Sequence, residues 1–130
     1  MDLPEILINY IFVSHRDAVN TCNVLHLDPL ELTTEGMLEV IENLTVMVTL
    51  QCARLYEGWT HNDAIDNLDI VREFIRRLRT ELELVVDILI LKLNTALALG
   101  YIMDDITKAE LTKEKILSKL YNTIAFHTLT

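Results

Sequence analysis

The sequence predicts an all-α protein, a single-domain helical bundle of four to six helices around a central apolar helix, on three observations. Apolar residues recur at helical spacing through most of the 130-residue chain. Gly and Pro are scarce, three and two in all, too few for the many tight turns of an all-β fold. Hydrophobic residues make up 51% and mean hydropathy is +0.27, enough apolar surface to build one core without metals or disulfides.

The elements follow in order. Asp2, Pro4 and Glu5 read as a helix start, with Leu3, Ile6, Leu7, Tyr10 and Ile11 as its apolar face. Ser14 and Asp17 form a second cap-like pair, so this region is one helix to about His26 or a helix that restarts near Ser14. Asp28-Pro29 ends it, because a residue before proline is pushed out of the α region. Thr33 or Thr34 caps the next helix, whose stripe is Met37, Val40, Ile41, Leu44, Met47, Val48 and Leu55, with Gly58 as the stop.

Thr60 and Asp63 open a third segment with Ala64, Ile65, Leu68, Val71, Ile75, Leu78 and Leu82 as its face. Neither Gly nor Pro occurs from Thr60 to Leu99, so one long helix fits. Thr80-Glu-Leu-Glu83 has the form of a capping box, so a break near Thr80 fits as well. Gly100 closes the segment. Thr107 opens the last helix, with Leu111, Ile116, Leu117, Leu120, Tyr121 and Ile124 as its buried side.

The stretch from Leu84 to Leu99 is apolar nearly all round, broken by Asp87, Lys92, Asn94 and Thr95. As a membrane span it is poor, since a span wants about 20 uninterrupted apolar residues and Asp87 and Lys92 would be costly in lipid. It reads as the central element of a bundle.

Net charge is −9, which disfavours nucleic acid as a partner. Residues 1–71 hold twelve Asp/Glu against two Arg, whereas residues 72–130 hold eight against nine Lys/Arg. Such asymmetry suits self-association through complementary surfaces. Cys22 and Cys52 form no metal-ligand pattern and read as small buried apolar residues.

No nucleotide-binding, serine-hydrolase or zinc-protease motif is present, and no metal or cofactor is expected. Arg72, Arg76 and Arg79 follow i, i+4, i+7, with Arg77 beside them. Carboxylates stand in helical reach, Asp69 for Arg72, Glu73 for Arg76 or Arg77, and Glu83 for Arg79. A salt-bridged or protein-binding face therefore outweighs a phosphate site. Phe74 is the one aromatic among them that could stack a base. Trp59, in the turn after Gly58, is either a cap on the core or an interface anchor.

Arg54 and His61 are separated by six residues. This spacing resembles the R-x(4–6)-H motif of the HEPN ribonucleases, small all-α proteins that cleave RNA without a metal. The resemblance implies a phosphate-stabilising role for Arg54 and proton transfer or orientation by His61. Leu55 stands where that family usually has a polar residue, and the acids Glu57, Asp63, Asp66 and Asp69 surround the pair.

Over its full length the chain resembles the small, all-helical virion structural proteins of archaeal viruses, of the Acidianus two-tailed virus type. The texture that carries this is Ile/Leu/Thr-rich helices, few Gly and Pro, and no enzyme motif. The resemblance implies a non-enzymatic coat component that packs against copies of itself or other structural proteins, in a virion or the host cytoplasm.

Overall fold

The computed structural model describes residues 28–128; the helix or helices expected over residues 2–26, Cys22, and the last two residues lie outside them. The described chain opens with a 3-10 turn, Pro29–Glu31, whose start is capped by the Asp28 carboxylate accepting from the Leu30 N–H at 2.9 Å. Thr33 then caps the first α-helix, its hydroxyl accepting from Gly36 N–H at 3.0 Å. This helix, α1, runs Thr34–Leu55 and buries the expected stripe together with Cys52 and Gln51. Gly58, at φ +76°, turns the chain out of it in a conformation that suits glycine.

Thr60 and Asp63 form a reciprocal capping box, with bonds of 2.9 and 3.1 Å, at the start of α2, His61–Asp66. Neither of the two arrangements that fit the sequence, one helix from Thr60 or a break near Thr80, is the one found: the break lies at Asn67, and α3 runs unbroken over Leu68–Ala98. The side chains explain the difference. Asn67 leaves helical geometry (φ −115°, ψ 32°) and donates its amide to the Asp63 carbonyl at 2.7 Å, a local bond that competes with the backbone ladder. Thr80 spends its hydroxyl on the Arg76 carbonyl, 3.0 Å away and one turn back, and so caps nothing. Leu78 and Leu82 flank it in the core, and a bend at Thr80 would withdraw one of them.

At 31 residues α3 is about 45 Å long. It ends in a Schellman turn. Tyr101 N–H reaches the Ala96 carbonyl at 3.0 Å, Gly100 N–H reaches that of Leu97 at 3.2 Å, and Gly100 takes φ +101°. The turn aims the Tyr101 hydroxyl at that of Thr34, 2.6 Å away, tying the end of α3 to the start of α1.

The last helix also differs from expectation, being two. Asp104 caps the short α4, Asp105–Glu110, by accepting from both the N–H and the hydroxyl of Thr107. Leu111 then leaves helical geometry to enter the core, and Thr112 caps α5, Lys113–His127. The buried face of α5 is Ile116, Leu117, Leu120 and Ile124; Tyr121 is half-buried at its edge.

The described residues form an all-helical fold of five α-helices around one connected core, with no strand among them. α5 packs against both α1 and α3, and α3 also receives α2 and the 3-10 turn. Phe74 is fully buried in this core, so it does not stand among the arginines as a stacking surface. The apolar stretch of α3 is not apolar-buried all round either. Leu82, Val85, Val86, Leu89, Leu93 and Ala96 face the core, while Leu84 and Leu91 are 58% and 66% exposed. No helix of the described residues is long and apolar enough to cross a membrane.

Candidate functional site

The arginines of α3 share an exposed face and are largely engaged within the chain. Glu73 holds both Arg76 and Arg77, with contacts of 2.6 and 2.9 Å. The bond from Arg76, helped by that from Arg77, keeps the Glu73 carboxyl down at about 2. Arg72 lies 3.7 Å from Asp69, both wide open to solvent, a geometry worth little. Arg79 does not meet Glu83. Its guanidinium sits 4.2 Å over the Tyr121 ring, and the Tyr121 hydroxyl donates to the Arg79 carbonyl at 3.4 Å, so this arginine fastens α3 to α5. With Arg76 and Arg77 held by Glu73 and Arg79 by Tyr121, the stripe holds phosphate poorly.

Glu83 is taken by Lys113 at 3.3 Å, and the same ammonium reaches Asp87 at 2.8 Å. Asp87, and then Glu83, holds the Lys113 ammonium in its charged form to a higher pH than usual. Sequence reasoning missed this three-residue bridge because its members lie about 30 residues apart. Lys115 pairs with Glu110 at 3.1 Å. All these pairs fall between residues 69 and 115. Glu35, Glu39 and Glu42, along the outer side of α1, make no ion pair among the described residues, so this side of α1 is an exposed acidic face.

The second region is the end of the bundle where α1 meets α2. Trp59 is half-buried against the core and meets Tyr56 edge-on at 5.8 Å between ring centres. Both contribute to a shallow hollow of about 430 Å³, which His61 and His127 also line. Phe126, 84% exposed, lies edge-on to His127 at 5.0 Å and forms the rim. Arg54, half-buried in the last turn of α1, is not among the lining residues. The structure therefore does not join Arg54 and His61 in one hollow; it places His127 there with His61. The sequence signal for that pairing is nil, since 65 residues separate the two histidines.

Beyond Phe126 the surface continues into an open groove of about 670 Å³ between α1 and α5, lined by Thr45, Thr49, Lys119, Asn122 and Thr123 among others. Its threonine hydroxyls donate to carbonyls of their own helices, so none projects as a dedicated ligand donor. Among the described residues no group of three or more His, Cys, Asp or Glu side chains converges as a metal site. Asp104 of the Asp104-Asp105 pair is a helix cap, and the Thr107 N–H bonded to it lowers its carboxyl below the ordinary value. Cys52 is a buried free thiol that burial pushes up to about 12, so it is no nucleophile.

The most distinctive surface is apolar. Among the described residues nine large side chains are more than half exposed: Val46 and Leu50 on α1, Leu84 and Leu91 along α3, Leu99, Ile102 and Ile106 after it, and Leu30 and Phe126 elsewhere. Ile102 and Ile106 reach 90% and 81%. No family model matches the chain, and no curated protein or solved structure matches it either.

Proposed function

We propose that this chain is a non-enzymatic structural protein that works by packing against copies of itself or similar helical subunits. The observation that carries the reading is the exposed apolar surface, nine large side chains in solvent outside the connected core of the described residues. Each would gain about 1–2 kcal/mol on burial against a partner. The likeness in texture to virion proteins of archaeal viruses extends the reading to a coat component. The polar side chains support it too, because the arginine face and the α5 lysines Lys113 and Lys115 serve intramolecular pairs.

Sedimentation velocity over a wide concentration range tests it. Copies carrying −9 repel one another, so association should rise with concentration and with salt, which screens that repulsion. A strict monomer at high concentration in both low and high salt removes the reading. Mass spectrometry of purified particles tests the virion assignment.

A second reading, RNA cleavage, draws on His61 and His127 lining one hollow beside Trp59 and Tyr56. Two imidazoles can serve as acid and base in metal-independent phosphodiester cleavage. RNA incubated with the purified chain and with His61→Ala decides it: no cleavage, or cleavage unchanged in the variant, ends that reading.

A further inference from the structure

The hollow at the α1–α2 end of the bundle and the groove between α1 and α5 form one continuous surface, because Phe126 and His127 line both. Its two ends differ in chemistry. The hollow end is aromatic, with Tyr56, Trp59 and Phe126 around it. Its volume of about 430 Å³ falls within the range of about 300–1,000 Å³ typical of small-molecule sites. The groove end is polar and carries Asn122 and Lys119.

The polar side chains along this surface differ from their neighbours. Lys113 and Lys115 are held by carboxylates, and the groove threonines donate to carbonyls of their own helices. By contrast, the side chains of His61, His127, Asn122 and Lys119 make no hydrogen bond or ion pair among the described residues. Lys119 and His127 stand on one face of α5, about 12 Å apart along its axis.

We infer that this surface binds a nucleoside diphosphate, its base against the aromatic hollow and its phosphates along the groove from His127 to Lys119. A planar base has a face to stack on an aromatic ring whatever its edge groups. Beyond the base, the imidazole and amide N–H groups can donate to phosphate oxygens, and Lys119 supplies a full positive charge. The run from His127 to Lys119 favours two phosphates over one. A single phosphate beside the hollow stops at His127, whereas a second extends toward the Lys119 ammonium. The net charge of −9 favours a small ligand over a polynucleotide. Charges more than about 8 Å away are largely screened at physiological salt, but a long polyanion would lie against the acidic surface itself. The inference needs neither a second copy nor a proton transfer, so it stands apart from both readings above.

Trp59 is the single tryptophan of the chain and lines the hollow, so its fluorescence reads the site directly. The full chain is titrated with ADP, adenosine and pyrophosphate at physiological salt, the last read by displacement of ADP. ADP should quench saturably, with a Kd of about 1 mM or below. Adenosine and pyrophosphate should each bind about tenfold more weakly. Lys119→Glu should weaken ADP binding about fivefold and leave adenosine unchanged. Phe126→Ala should weaken ADP and adenosine alike, by about fivefold. Both positions are exposed, so circular dichroism should show the fold retained. No saturable quenching by ADP at several millimolar overturns the inference. So does adenosine or pyrophosphate binding as tightly as ADP, or unchanged ADP binding in either variant. A single-stranded oligonucleotide that binds more tightly than ADP also overturns it.

Discussion

Replacing Phe74 by alanine should be among the most damaging single changes in this fold. Its ring is fully buried, and it stands on α3 between Val71 and Leu78, which are equally buried. Removing the ring forfeits its transfer free energy and leaves a cavity that the surrounding helices close only in part. Such truncations cost about 3–5 kcal/mol. For a chain of this length that corresponds to a fall in melting temperature of roughly 10–20 °C. Phe126 is the internal comparison, because its ring is 84% exposed and Phe126→Ala should stay within about 0.5 kcal/mol of wild type. The assay is urea denaturation followed by helical circular dichroism, with the m-value checked for constancy so that midpoints convert to free energies. Phe74→Leu, which keeps most of the volume, should cost less than about 2 kcal/mol and guards against a variant too unstable to measure. A cost below 1 kcal/mol for Phe74→Ala, or equal costs at positions 74 and 126, would refute the placement of this ring in the core.

Gln51 is buried with its Oε1 unpartnered among the described residues, so Gln51→Met should raise stability by about 1 kcal/mol; a loss of that size would reveal a partner for the amide. Gly100→Ala forces a side chain into φ +101° and should cost about 1–2 kcal/mol in thermal melts, although nothing lies within 4 Å of the added carbon; an unchanged melting temperature would refute the strain argument. The Glu73 carboxyl should titrate near 2 by NMR. Because that is below its ordinary 4.5, the Glu73 clamp is fully present above pH 4.5 and is lost as pH falls toward 2; a midpoint of 4 or higher would contradict the geometry. Cys52 should resist alkylation at pH 8 in the native state and react on unfolding in urea, read by peptide mapping; native-state labelling at full rate would contradict its burial.

The helical class and most of the core could be read from the sequence because one-sided burial imposes a period. The stripe from Met37 to Leu55 lies buried as spaced, and so does the face from Ile116 to Ile124. Boundaries were less legible, because Thr80 and Thr107 carry the residue types of a cap without acting as one. A threonine inside a helix satisfies its hydroxyl one turn back, and sequence does not distinguish that bond from a capping bond. Phe74 misled for a related reason, since three arginines around it suggest a surface while its own angular position on the helix faces inward. The Lys113 bridge and the shared hollow of His61 and His127 depend on how α5 folds back, which no local pattern encodes. The exposure of Leu84 and Leu91 was hidden because apolar residues on both sides of one helix read as total burial.

The position of α5 has a consequence for the order in which this protein is made. It is the element that packs extensively on both α1 and α3, and it is the last described helix to leave the ribosome. Until residues 113–127 emerge, the faces of α1 and α3 on which α5 packs lack its cover, and the nascent chain carries an open apolar trough. Folding is therefore completed after synthesis of α5 and not in stages during it, and a ribosome that stalls within α5 leaves a sticky intermediate, not a smaller stable bundle.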